Sequence, residues 1–140
     1  MDTTIEADIT GGTMPTPGSA GSAASLVTEY LTAFYTGDFD RARAAVAQDF
    51  SFHGPFLQVQ GRDAFFAGAQ GLQPIVRGHR LLRQWVDGAE VCSIYDVTLE
   101  TAKGTGSVPM SEWHTVRGGQ LAAARVLFDA AAFRALLPQP

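Results

Sequence analysis

The stretch that most constrains this chain is Val108–Asp129, VPMSEWHTVRGGQLAAARVLFD. Its first half is rich in apolar, β-branched and aromatic residues, which suit the pleated backbone of a strand. Arg117-Gly118-Gly119 interrupts that run, and glycine takes positive φ without the steric penalty of a Cβ, so a tight turn falls there. Gln120 to Phe128 then returns as a second strand. Side chains alternate across a strand, so Met110, Glu112, His114 and Val116 share one face, and Ser111, Trp113 and Thr115 share the other. A carboxylate and an imidazole two residues apart on an otherwise apolar face fit the wall of a pocket.

The chain before this hairpin divides into helices and then strands. SLVTEYLTAFYTG follows a cap at Ser22 or Ser25, carries Leu26, Val27, Tyr30, Leu31 and Phe34 at helical spacing, and stops at Gly37. DFDRARAAVAQ reads as a second short helix opened by Asp38 or Asp40, with Phe39, Ala42, Ala45 and Val46 inward. Phe50 and Phe52 alternate with Ser51 and His53 until Pro55, which gives two short strands, or a strand and a bend, up to Gly61. RDAFFAGAQGL is a third helix. From about Arg77 the pattern is strand throughout: HRLLRQWV, an Asp87-Gly88 turn, EVCSIYDVTLET, a turn at Lys103 to Gly106, and the hairpin. Asp129 caps a last short helix, AAAFRALL. Helices first and a meander of long strands after define an α+β domain over residues 22–137. Its three N-terminal helices pack on one face of a strongly curved, mainly antiparallel sheet, with a pocket between the layers. Residues 1–21, rich in Thr, Gly, Pro, Ser and Ala, bury too little to offset their ordering entropy and are expected as a flexible tail.

Composition narrows the function. The 140 residues carry a net charge of −4 and show no basic stripe, so a nucleic-acid partner is not expected. Arg77, Arg80 and Arg83, the densest basic group, are spaced as on a solvated face. No apolar run approaches the roughly 20 residues of a membrane span, and the N-terminal stretch has no apolar signal region, so a cytoplasmic setting is expected. The single cysteine, Cys92, sits in an apolar run and reads as a buried thiol. His53, His79 and His114 lack ligand spacing such as HxxxH or HxH, so neither a metal nor another cofactor is expected. Gly104-Thr105-Gly106 lies between strands, not before a helix, and reads as a turn and not a phosphate loop.

Three segments together, YLTAFYTGDFDRA, DFSFHGP and SEWHTVRGGQLAAARVLFD, resemble the nuclear transport factor 2-like superfamily, in its SnoaL-like branch. The resemblance covers about Ser22 to Leu137 and implies a cone-shaped α+β fold with an internal cavity. Ketosteroid isomerase, limonene epoxide hydrolase, scytalone dehydratase and SnoaL-like polyketide cyclases share that fold, and fold does not settle function. By similarity to ketosteroid isomerase, Tyr30 matches the first-helix tyrosine that donates to the substrate oxygen. Glu112 matches the uncharged acid in the penultimate strand. Gly54, before Pro55, stands where that enzyme has its aspartate base. By similarity to limonene epoxide hydrolase, the water-activating aspartate of the last strand falls at Val126, its Asp-Arg-Asp triad finds Tyr95 and Val97 in the paired strand, and Asp96 is one place off and, by alternation, on the other face. The resemblance also implies a homodimer through the convex sheet face, where Trp113, Asp96 and Arg125 would lie.

The residues permit two working states. Glu112 is a neutral acid that donates, with Tyr30, to a developing enolate; or Glu112 and His114 form a proton-transfer pair with Tyr30 as oxyanion donor. Catalytic candidates are therefore Tyr30, Glu112 and His114. The expected pocket is built from Phe34, Phe52, His53, Gly54, Trp85, Tyr95, Val97, Met110, Val126 and Phe128. The expected activity is acid–base isomerisation, cyclisation or dehydration of an apolar, oxygen-bearing small molecule. The alternatives are a non-catalytic module that binds an apolar ligand, a dimerising accessory domain, and epoxide hydrolysis.

Overall fold

Gly118 and Gly119 sit at φ of 59° and 77°, and the chain reverses on them so that Glu112 pairs with Val126 and His114 with Ala124. The hairpin is the centre of a six-stranded sheet. In the computed structural model, which describes residues 20–137, the elements in chain order are α1 (Ala20–Tyr35), α2 (Phe39–Ala44), β1 (Val46–His53), β2 (Gln58–Gln60), α3 (Arg62–Ala69), a 3-10 turn (Gln73–Ile75), β3 (Val76–Asp87), β4 (Glu90–Thr101), β5 (Gly104–Arg117), β6 (Gln120–Phe128) and α4 (Ala130–Leu136). The sheet order is β2-β1-β6-β5-β4-β3. Strands β3 to β6 form the expected antiparallel meander, β1 joins β6 in parallel, and β2 pairs back on β1.

The core lies between the concave face of the sheet and the helices. Val27, Tyr30, Leu31 and Phe34 of α1 are buried, as their helical spacing predicts. They meet Val91, Tyr95, Val97 and Leu99 of β4 and Val108 and Met110 of β5, all buried in one cluster. Asp129 caps α4 by accepting from the backbone N–H of Ala131 and Ala132. Gly37, at φ 84°, ends α1 as expected.

Local structure differs from the sequence reading at several points: Ser22 and Ser25 lie inside α1 and do not cap it, and α3 ends at Ala69, short of Leu72. Helix α2 stops at Ala44 and does not reach Gln48, because Val46 leaves it to pair with Leu121, and the Ala45 carbonyl accepts from the Leu121 N–H at 2.8 Å. Helix α1 includes Ala20 and Gly21, which the sequence reading placed in the tail; the rest of that expected tail, residues 1–19, lies outside the described residues. Strand β3 carries a bulge: Leu81 pairs with Tyr95 and Arg83 with Ile94, so Leu82 is the extra residue. That bulge reverses the alternation for the remainder of β3. Among the described residues no helix is long and apolar enough to cross a membrane.

The parallel β1–β6 seam rests on Leu121, which is fully buried beside Val46. Leu121→Ala is expected to cost about 2–5 kcal/mol, read as a lower urea midpoint with an unchanged slope.

Candidate functional site

A cavity of about 340 Å³ opens between the helices and the concave face. Helix α1 contributes Tyr30, Leu31, Phe34 and Tyr35 to its wall, and α3 contributes Phe65, Gly68 and Ala69. The end of β1 and the following bend add Phe52, Gly54, Pro55, Phe56 and Leu57. The sheet supplies Tyr95, Met110, Glu112, Val126 and Phe128, and Phe133 and Leu137 close it from the C-terminal end. Phe56, Phe128 and Phe133 pack edge and face against one another with centroids 5.1–5.4 Å apart. The wall is apolar apart from one carboxylate, Glu112, and three phenols, Tyr30, Tyr35 and Tyr95.

Glu112 is only 4% exposed. A carboxylate taken out of water needs donors, or its burial is strongly unfavourable. Tyr95 Oη donates to Glu112 Oε1 at 2.6 Å, and Tyr35 Oη lies 2.9 Å from Tyr95 Oη. His114 Nε2 lies 3.4 Å from Glu112 Oε2. His114 is fully buried, and among the described residues neither of its ring nitrogens makes a hydrogen bond. The Tyr30 ring packs against it at a steep angle, centroids 5.6 Å apart. Burial, then the charge of Glu112, pushes all three tyrosines well above the ordinary phenol value. His79 stacks on Tyr35 at 5.3 Å, and its burial pushes the imidazole down.

The structure brings most of the candidate residues together. Tyr30, Phe34, Phe52, Gly54, Tyr95, Met110, Glu112, Val126 and Phe128 all line the cavity. Four candidates do not. His53 is exposed on the outer face, opposite Arg125, because regular alternation continues to the end of β1. Trp85 is 45% exposed and also faces outward, opposite Cys92, because the bulge at Leu82 reverses its side. Val97 faces inward but is sealed in the core beyond the cavity, paired with Val108. His114 faces inward behind Glu112, with the Tyr30 ring packed over it, and does not line the cavity.

Other lining residues were missed. Tyr35 lies four residues beyond Leu31, so helical spacing places it on the inward face, and it reaches the cavity at the end of α1. Phe56 and Phe133 arrive through the fold-back of a loop and a terminal helix, for which local pattern carries no signal. The position of the missing aspartate is instructive. A Cβ on Gly54 would lie 2.8 Å from Val126 Cγ1 and 3.1 Å from the Phe52 ring, so a side chain there requires both neighbours to move. On the outer face, His53, Arg125, Trp113, Cys92 and Trp85 form one cross-strand row. Trp113 is half exposed and donates through Nε1 to Glu90, and Arg80 lies 3.6 Å from Asp96 on the same face.

A curved sheet wrapped by helices around an apolar cavity with one buried carboxylate defines a small α+β domain with an internal pocket. The chain belongs to the SnoaL-like domain family, whose model matches residues 27–124. No curated protein matches the sequence. Among solved structures, a protein from Kribbella flavida is 29% identical, with a TM-score of 0.74 over 82% of this chain and 93% of that one. A candidate polyketide cyclase from Xanthomonas campestris is 25% identical, with a TM-score of 0.69 over 83% and 96%. An LEH-like epoxide hydrolase from M. tuberculosis is 23% identical, with a TM-score of 0.72 over 83% and 90%, a likeness of fold alone.

The chain has three tyrosines, and all of them line the cavity. The folded chain keeps phenolic protons that the unfolded chain loses, so stability falls as the pH climbs above 10 towards the folded values. Phenolate absorbance in the near ultraviolet should therefore stay absent above pH 10 until the chain unfolds. In Glu112→Gln, which removes the charge that opposes ionisation, it should begin at lower pH. Three ordinary titrations near pH 10 in the folded protein would contradict this placement.

Proposed function

We propose that this chain is a cofactor-independent SnoaL-like enzyme that performs acid–base chemistry on an apolar, oxygen-bearing small molecule through an enolate-like state. The observation that carries the reading is Glu112, a buried carboxylate on the wall of an otherwise apolar cavity that also presents Tyr30. Nothing in that wall but Glu112 is a base of suitable strength. Glu112 takes a proton from a carbon beside a carbonyl, and the electron pair moves onto the carbonyl oxygen. The Tyr30 hydroxyl donates to that oxygen as charge develops, where the apolar surroundings strengthen the bond. Return of the proton to another carbon isomerises the substrate. Attack by the enolate carbon on a second carbonyl closes a ring, and loss of a β-hydroxyl protonated by Glu112 dehydrates it. His114, behind Glu112 and off the wall, acts through the carboxylate and not on the ligand.

The test is exchange of carbon-bound protons. A panel of conjugated ketones is incubated with the protein in D2O, and loss of the protons beside the carbonyl is followed by NMR. The expected result is exchange that saturates with ketone. Glu112→Gln should lower it on the order of 10²–10⁴-fold, the usual worth of a positioned base, Tyr30→Phe should also lower it, and His114→Asn should do so less than Glu112→Gln. Wild-type protein that binds these ketones without accelerating exchange would favour the second reading, a non-catalytic module for an apolar ligand. Gly54 in the place of the isomerase's aspartate speaks for that reading.

The convex face supports a second proposal, a homodimer through the sheet. Trp85, Trp113 and Leu127 are 45%, 50% and 65% exposed and lie together there, a concentration of apolar surface unusual for a free face. The acidic Asp87 and Glu90 at one end of the patch and Arg83 and Arg125 near the other suit a two-fold pairing of identical faces. Sedimentation velocity at micromolar concentration should give a dimer, and Trp113→Glu should give a folded monomer; a wild-type monomer rejects the proposal.

A further inference from the structure

The chain Tyr35, Tyr95, Glu112 has a direction, and the direction follows from counting protons. A phenol carries one proton and accepts through its lone pairs. Tyr95 donates its proton to Glu112 Oε1, so it has none left for Tyr35. The bond between the two hydroxyls, 2.9 Å long, must therefore run from Tyr35 to Tyr95. While Glu112 is ionised, the Tyr35 proton is committed inward, and Tyr35 offers the cavity only lone pairs. A proton placed on Oε1 reverses every bond. Glu112 then donates to Tyr95, Tyr95 to Tyr35, and the Tyr35 O–H is freed to point into the cavity, which Tyr35 lines. No bond to hydrogen is broken along the chain; each hydroxyl only rotates.

We infer that Tyr35 is a second oxyanion donor, switched on through Tyr95 when Glu112 takes up a proton. The inference rests on the proposed role of Glu112 as base, and it specifies the substrate further. In the resting state Tyr35 favours a ligand that donates a hydrogen bond, such as an enol or phenol. Once the proton sits on Oε1 it favours a negatively charged oxygen. A substrate whose acidic C–H lies at Glu112 and whose carbonyl oxygen lies within reach of Tyr35 gains a donor only as its charge forms. An interaction made in the transition state and not before it is the kind that accelerates reaction. The groups facing Glu112 are Tyr30 and Tyr35 from α1, Tyr95 from β4, and His114 from its own strand; β6 places Val126 opposite it. His114 is not hydrogen-bonded to Oε2, so the tyrosine side is the only continuous hydrogen-bond path from the carboxylate among the described residues.

The test needs no substrate. Protein labelled with 13C at tyrosine Cζ gives three resonances, one for each cavity tyrosine, assigned with the Tyr→Phe variants, and 13C-labelled glutamate reports the Glu112 carboxyl. The expected result is that the Tyr35 and Tyr95 resonances shift together with the Glu112 carboxyl, with one midpoint. In Tyr95→Phe, which removes a single oxygen from a buried ring, the Tyr35 shift should vanish while the Glu112 titration remains. In Tyr35→Phe, the Tyr95 shift should persist. A wild-type Tyr35 resonance that ignores Glu112, a Tyr35 shift unchanged in Tyr95→Phe, or a Glu112 that never protonates while the protein is folded would each overturn the inference. If Tyr95→Phe does not fold, the wild type and Tyr35→Phe decide it. Loss of ketone exchange in Glu112→Gln tests the proposed function separately, since the resonances couple or fail to couple whether or not any ketone reacts.

Discussion

The hydrogen bond from Tyr95 to Glu112 is the constraint on which the rest of the site depends. Stability alone does not account for a carboxylate in this wall. Each buried ion costs several kcal/mol in desolvation, and well-packed apolar residues in place of a buried ion pair are often neutral or stabilising. The arrangement is tolerated because donors arrive from elsewhere in the chain. Tyr95 stands one cross-strand row away on β4, opposite Met110, and can reach Oε1 only if β4 and β5 keep their register. Tyr35 must then end α1 beside it, which fixes how far the helix runs before Gly37 turns the chain. One carboxylate thus ties the helix end to two strands.

The same wall is defined by where acids are absent. Gly54 and Val126 stand where two relatives of known chemistry would carry an aspartate. Here they pack on each other so closely that a Cβ at one would collide with a methyl group of the other. The consequence is electrostatic as well as steric. Two carboxylates in a small apolar space raise each other's proton affinity, whereas Glu112 has no acidic rival in the wall; the ionisable groups that share the wall with it are three phenols held protonated by burial, and His114 stands behind it. Under the proposed function, a single carboxylate with several potential donors suits one proton moved at a time and a negative oxygen held close by.

Much of this was legible in the residues, for a definite reason. Strand alternation has period two, so Glu112, Met110 and Trp113 could be assigned to faces from Val108–Asp129 alone, and they lie as assigned. Trp85 shows where that logic stops. One extra residue at Leu82 inverts the parity of everything after it, and no side chain at that point announces a bulge. The helices were legible from their apolar spacing, and Tyr35 continues the inward line of Val27 and Leu31 at the same four-residue step, although spacing alone does not say that the helix ends with it beside the cavity. The end of α2 was hidden because alanines suit a helix and a strand entrance alike, and the pairing of Val46 with Leu121 decided between them.

Parity also leaves depth undetermined, and depth separates His114 from Glu112. Both face inward on β5, two residues apart. Tyr30 packs its ring against His114 and closes that end of the concave face, while the Glu112 row and the Met110–Tyr95 row stay open to the cavity. Beyond Met110 the Val97–Val108 pair is sealed again, on the side where α4 reaches Gly106 and Thr101. The cavity is therefore a short window along β5, framed by one helix at each end. A residue becomes part of the site by falling within that window, and the window is set by where α1 and α4 cross the sheet. For this reason Tyr30 has two positions that a single strand pattern could not reveal: its ring packs on His114, which stays off the cavity, and it stands on the cavity wall.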